Sequence, residues 1–336
     1  MLWVSPMMEW CRPPVRADRS TDLNSGVMSI DAPIRLDDDH ASLVGDGTVL
    51  KPTYEGPAVV VEGCTSAFVS GLIVEHIGGE ATEKANGIEV RDATDTRIEH
   101  CQIRDTPRIG EPGTNDAIGG GSGICVASDA RGTIIRDCAT VDCGWRGIEV
   151  GGTQTRIERC RSRGQVDRGV SGDVQYPGVD PEFDAAASQL VIRNSTFEGG
   201  PHPAAPIGFT GARQVLVDDC FTTTESGRRG VAARNSDQVT IRNSHFVGGG
   251  PDPQDGIFSS SDGTKIVDND ICGFEFGVRA SGRKTIISEN VITECEYPII
   301  DRKDRSIRRQ NNLVYDRRTG RTGELIKRIR LLSRRF

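Results

Sequence analysis

A repeat of 21–25 residues, a lean apolar content and recurrent glycine-marked turns predict an all-β solenoid, a right-handed parallel β-helix of about ten coils. The chain has 336 residues, of which 36% are hydrophobic and 5% aromatic, with 40 glycines. That is little for a globule around one large core. It suits a narrow interior filled by Ile and Val, with turns every few residues. Leucine-rich repeats have a similar period, but their Leu pattern is missing, and a propeller needs blades of roughly 40 residues.

Residues 1–26 carry Pro6, Pro13 and Pro14 without periodicity and read as an irregular lead-in. Short apolar alternation starts at Val27 and continues through ASLVGDGTVLKP, which reads as a first coil or cap. From there to Tyr315 each coil has an opening strand marked by Gly. The series runs Asn86-Gly87-Ile88, Ser122-Gly123-Ile124, Arg146-Gly147-Ile148, Arg168-Gly169-Val170, Arg229-Gly230-Val231, Asp255-Gly256-Ile257 and Phe276-Gly277-Val278. A second marker pairs Ile or Val with Cys, Ser or Asn three residues later. It recurs from Ile98/Cys101 through Ile157/Cys160 and Ile241/Ser244 to Ile287/Asn290. Phe276–Glu296 is the cleanest coil, with three short strands and a tight turn at Glu289-Asn290. Strands this short need stacking on their equivalents about 4.8 Å above and below. Parallel crossovers are overwhelmingly right-handed, which sets the expected hand. Asn269, Asn290 and Asn311 repeat at 21 residues and predict an amide ladder at the tight turn.

Two coils are enlarged, by inserts at 107–121 and 174–187. Beyond Tyr315 the tail 316–336 is rich in Arg, with Leu325, Ile326, Ile329, Leu332 and Phe336 at helical spacing. A basic capping helix is the expectation, covering the last coil as a solenoid requires. The alternative is a surface for anionic lipid or a partner.

The formal charge of −7 excludes a general nucleic-acid binder, whose phosphate contacts need a basic surface. Ten cysteines in a long chain without a CxxC pair are not a small disulfide scaffold. Cys101, Cys138, Cys160 and Cys220 share one repeat position and predict a stack of small buried side chains. No apolar run is long enough to span a membrane. The N-terminus shows no clear signal peptide, which points to a cytoplasmic protein, or to a secreted one if the start is truncated.

On SLVGDGTVLKP, the repeated GI-x-V strands, VTIRNSHFVGG and TIISENVITEC, the chain resembles the pectate-lyase-like superfamily of right-handed parallel β-helices over about residues 27–315. The resemblance implies that fold. It leaves activity open, because the superfamily includes lyases, glycoside hydrolases, uronate epimerases and viral tail proteins. Gly178 to Asp184 partly resembles the Asp-Pro-x-Asp motif of alginate epimerases, with Glu182 where a His is expected and Phe183 inserted.

Strand alternation locates a candidate site. With Ile88 and Val90 inward, Glu89 and Arg91 face out; the same phase turns Glu149 and Asp173 outward. Arg146 and Arg168 precede their glycines at equivalent rungs and should stack at the edge of this face. Both inserts flank it, and the second carries Tyr176, Asp180 and Glu182. Glu149, Asp173 and Glu89 are the candidate catalytic carboxylates. Arg91, Arg146, Arg168, Trp145, Tyr176, Asp180 and Glu182 are candidate substrate contacts, with Trp145 and Tyr176 offering flat surfaces to sugar rings. Glu149 and Asp173, one coil and two residues apart, place their Cβ atoms roughly 8 Å apart. That separation suits an acid–base pair for inverting hydrolysis. In a lyase or epimerase, Arg146 or Arg168 would neutralise a uronate carboxylate while a base takes the adjacent proton. The acids Asp173, Asp180 and Asp184 also suit Ca²⁺. The expected partner is a polysaccharide or oligosaccharide, with a homo-oligomer left open. Against this stand two plainer readings, a solvated face laced with weak ion pairs and a non-catalytic β-helix of a surface or fibre protein.

Overall fold

The computed structural model describes residues 20–76, 84–109, 119–173, 187–199, 204–224, 229–249, 252–301 and 307–316. Among them are strands and turns and no helix. Each coil contributes an opening, a second and a third strand, and each strand pairs in parallel with its equivalent in the next coil. Opening strands run from Ile34–Leu36 through Ile88–Arg91, Ile124–Val126, Ile148–Val150 and Val170–Asp173 to Tyr297–Asp301. They form one eleven-stranded sheet. The second and third strands stack on the other sides of the coil, as Ile134–Arg136, Arg156–Glu158 and Val191–Arg193 show for the second. Solenoid pairing already includes Thr21–Leu23, which aligns with Leu43 to Gly45 inside the stretch 1–26. The tail 317–336, where a capping helix was expected, lies outside the described residues.

The core follows from the alternation. Ile88, Ile124, Ile148, Val170, Ile207, Val231, Ile257 and Val278 stack in one inward column, all buried. Ile98, Ile135, Ile157, Ile192, Val217, Ile241, Ile266 and Ile287 form a second column from the other sheet. Like stacks on like, so β-branched side chains fill most of the narrow interior, joined by the buried rings of Phe197, Phe209, Phe246 and Phe274. The cysteine column is also present. Cys101, Cys138, Cys160 and Cys220 are buried free thiols, with Cys138 Sγ 3.6 Å from the Ile98 carbonyl. The hydrogen bond with the Cys138 thiol, and then burial, push the Cys160 pKa well up, so it behaves as a small apolar side chain.

The amide ladder differs from expectation in one rung. Asn269 accepts from Ser244 N at 3.1 Å, Asn290 from Asn269 N at 3.0 Å, and Asn312, not Asn311, from Asn290 N at 3.1 Å. The last coil places its ladder residue 22 positions on rather than 21. The reason lies in the turn. The residue before each rung adopts a left-handed backbone, at Asn243, Asp268, Glu289 and Asn311. Asn311 therefore takes the turning position and Asn312 points inward.

The first insert enters as a two-stranded antiparallel ribbon, Arg108–Ile109 against Gly119–Gly120. Residues 110–118 and 174–186 of the two inserts lie outside the described residues.

Candidate functional site

The register brings Glu89, Cys125 and Glu149 onto one rung of the outer face of the opening sheet, with Ser171 and then Gly208 next along. Ile148 and Val150 point into the core, so Glu149 between them points out. Asp173 lies one coil beyond Glu149 and two residues along, paired by its backbone with Thr210; the Asp173 side chain lies outside the description. Tyr176, Asp180 and Glu182, together with the Ca²⁺ cluster that Asp180 and Asp184 would complete, also lie outside the described residues. Among the described residues no three metal-ligating side chains converge.

The centre of this face is not solvated. The Arg146, Glu149 and Asp167 side chains expose only 8%, 4% and 6% of their surface. They are joined: Arg146 Nη1 donates to Glu149 Oε1 at 2.9 Å and Arg146 Nε to Asp167 Oδ2 at 3.1 Å. Burial works against the Arg146 charge, but the Glu149 and Asp167 carboxylates outweigh it and hold the pKa above its usual value. Ser122 Oγ donates to Glu149 Oε2 at 2.8 Å, so both carboxylate oxygens are engaged. The plain reading of an exposed face with weak ion pairs is thereby corrected for Arg146 and Glu149. It holds better one end along, where Arg91 pairs with Glu62 at 2.9 Å and Arg35 with Glu62 at 2.7 Å, all part-exposed.

The two ends are linked. Asn86 Nδ2 donates to Glu89 Oε2 at 3.0 Å, Ser122 N donates to Asn86 Oδ1 at 2.9 Å, and Arg91 bonds Glu89 at 3.3 Å. A polar chain thus runs from Arg35 through Glu62, Arg91, Glu89, Asn86 and Ser122 to Glu149, Arg146 and Asp167. Cys125 sits between the two glutamates, and burial, with their negative charge, pushes its pKa well above the usual thiol value. Arg146 stacks on Arg168 through the backbone, Gly147 N donating to Arg168 O at 2.9 Å. Arg168 lies flat over Gly208, where a Cβ would come within 2.7 Å of its Nε. It bonds Ser171 Oγ at 3.4 Å. Trp145, half-buried, carries the Arg146 guanidinium 5.2 Å from its ring centroid.

Asn86, Ser122 and Asp167 were not singled out from the sequence as site residues. Asn86 and Ser122 stand before Gly87 and Gly123, at the rung where Arg146 and Arg168 stand, and that equivalence was the available signal. A second cluster was missed for the same reason. Asp255, before Gly256, is fully buried and paired with Arg229 at 2.8 Å and with Arg279. The two guanidinium groups lie 5.1 and 5.2 Å from the Phe258 ring. Burial raises the Asp255 pKa against the pull of both arginines. Phe276 and Tyr297 stack beside it with centroids 5.2 Å apart.

Among solved structures, the fold is similar to the surface adhesin PfbA of Streptococcus pneumoniae, at 13% identity and a TM-score of 0.66 over 88% of this chain and 82% of that one. The Agl-KA catalytic domain matches at 12% identity and 0.60, over 88% and 61% of the two chains. The Dettilon tailspike protein gp208 matches at 15% identity and 0.56, over 85% and 57%. The chain therefore spans under two thirds of those last two. At these identities the likeness is one of fold. No curated protein matches the chain in sequence. The model of the right handed beta helix region matches residues 120–292, more than half of the chain. The chain belongs to the right handed beta helix region family.

Proposed function

We propose that the protein binds a polysaccharide along the outer face of the opening sheet and cleaves or modifies it between the coils of Glu89 and Asp173. One observation carries this reading: a charged network is buried on the outer side of the solenoid, level with both inserts. Burying Arg146, Glu149 and Asp167 costs several kcal/mol per ion before pairing repays it. A second buried cluster, Asp255 with Arg229 and Arg279, lies in the same sheet away from the inserts, so the weight of this one rests on its position beside both. In this reading Glu149, Asp173 and Glu89 handle protons, while Arg91, Arg146, Arg168 and Trp145 hold the glycan, joined by Tyr176, Asp180 and Glu182 of the second insert.

The second reading is a non-catalytic glycan-binding module. It is favoured by the engagement of Glu149 with Ser122 and Arg146 and of Glu89 with Asn86 and Arg91, which makes a rigid recognition surface. The fold neighbours include a surface adhesin and a catalytic domain, and the fold admits both roles.

A screen of polysaccharides with the wild type, Glu149→Gln and Asp173→Asn separates them. The proposal expects turnover that falls by about 100-fold or more in each variant, the usual contribution of a proton-transfer group. Turnover indifferent to both substitutions removes the catalytic assignment. Glycan binding without turnover selects the second reading.

A further inference from the structure

Among the described residues each coil turns at one corner at the start of its second strand, and the turning residue there has a left-handed backbone. Gly132 and Gly263 occupy this position with φ of 74° and 67°. The four coils between them place Gln154, Gln189, Gln214 and Gln238 there, with φ of 58°, 53°, 55° and 54°. Left-handed backbone costs an L-residue about 1–2 kcal/mol and costs glycine little. Asn and Asp are the usual exceptions, and glutamine is not. The turn itself needs only the backbone: Gln154 N donates to Ser188 O and Gln189 N to Arg213 O, both at 2.9 Å, as Gly132 N donates to Thr153 O. The four side chains contribute nothing to that backbone pattern, and other coils fill the same corner with Ser66, Asp95 and Lys284; what sets these four apart is that one residue type repeats over successive coils.

The side chains line an open groove of about 550 Å³ that runs over the corner, flanked by Arg131 and Arg213. All four glutamines are exposed. Arg131 Nε donates to Gln154 Oε1 at 2.9 Å. The amides of Gln189, Gln214 and Gln238 have no hydrogen-bond partner among the described residues. Each neutral amide offers two N–H donors and one acceptor, repeated every ~4.8 Å along the solenoid. Strand addition by a peptide is disfavoured, because the corner N–H groups are already spent between coils.

We infer that this groove is a second binding site, for an extended neutral glycan lying parallel to the solenoid axis with its hydroxyls bonded to the stacked glutamine amides. The site is separate from the charged face; Arg131, Arg213 and Asp237 also line it, but a neutral glycan carries no charge for them to attract. Binding there is therefore insensitive to salt, unlike binding of an acidic polymer to Arg131 and Arg213.

The test uses the full chain and its Gln189→Gly/Gln214→Gly double variant on an array of linear neutral glucans, mannans, galactans and xylans, with polygalacturonate as the acidic comparison. The groove predicts that at least one neutral glycan is retained equally at low and high salt. It predicts that the double variant loses retention about tenfold or more, as expected for two hydrogen-bonding amides. Because glycine suits a left-handed turn, the Tm of the double variant should hold or rise, so lost binding is not lost folding. Glu149→Gln should retain groove binding, which separates failure here from failure of the charged face. The inference is overturned if no neutral glycan is retained, if the double variant retains it as well as the wild type, or if only polygalacturonate binds and high salt releases it.

Discussion

At the residue scale the informative side chains are those whose direction was legible but whose burial was not. Alternation alone turns Glu89 and Glu149 outward, and both do point away from the core. It cannot report that the Glu149 side chain is only 4% exposed, because what covers the outer face depends on the packing of distant segments. His76 is a related case. It is buried, with Nε2 lacking a hydrogen-bond partner. Burial lowers its pKa to about 4, with a contact to the Asn86 backbone opposing. The folded value lies below the unfolded one, so the folded state resists protonation. Stability is full above pH 6.5 and falls as pH drops towards 4. The shift corresponds to about 2 kcal/mol lost between pH 6.5 and 5. Urea denaturation across that range should show the loss in the wild type and a shallower slope in His76→Phe. Equal slopes would mean that His76 does not set the acid sensitivity.

At the element scale the turns were legible as turns, and their stacking rule was not. The Ile-x-x-Cys/Ser/Asn spacing marked the tight turn in each coil, and the Ile and Cys columns follow directly from it. The ladder slipped by one residue at Asn311–Asn312 because both are Asn and composition cannot tell a left-handed turn residue from an inward rung. Only the phase of the next coil decides. The ladder carries weight, because Asn290 is fully buried, accepts from Asn269, and donates to Ile266 O at 2.9 Å and to Asn312 Oδ1 at 2.9 Å. Asn290→Ala would strand several buried partners and should cost about 3 kcal/mol in chemical denaturation. Asn290→Ser should cost less, since Ser195 and Ser244 cap the same N–H rung upstream. If serine and alanine destabilise equally, the ladder is packing rather than hydrogen bonding. The glutamine corner was invisible in the sequence for a similar reason. Thr153-Gln154, Ser188-Gln189, Arg213-Gln214 and Asp237-Gln238 are dipeptides without a turn signature, and equivalence appears only through the coil-to-coil bridges.

At the scale of the whole molecule the period gave the architecture because each coil interacts with its neighbours alone, so local pattern and global fold coincide. Function does not follow from that period. The proposed function is placed where the chain departs from it, in the inserts at 107–121 and 174–187 and on the charged face beside them. The account's central claim is that a polysaccharide binds this face, and Trp145 reports on it most directly. The other two tryptophans, Trp3 and Trp10, lie outside the described coils, and replacing both with Phe leaves Trp145 as the sole indole. Titration with a polysaccharide retained by the wild type should change Trp145 emission saturably, and Arg146→Ala should weaken that response about tenfold or more, the loss expected of a buried charged contact. A polysaccharide that binds without altering Trp145 emission would contradict the claim.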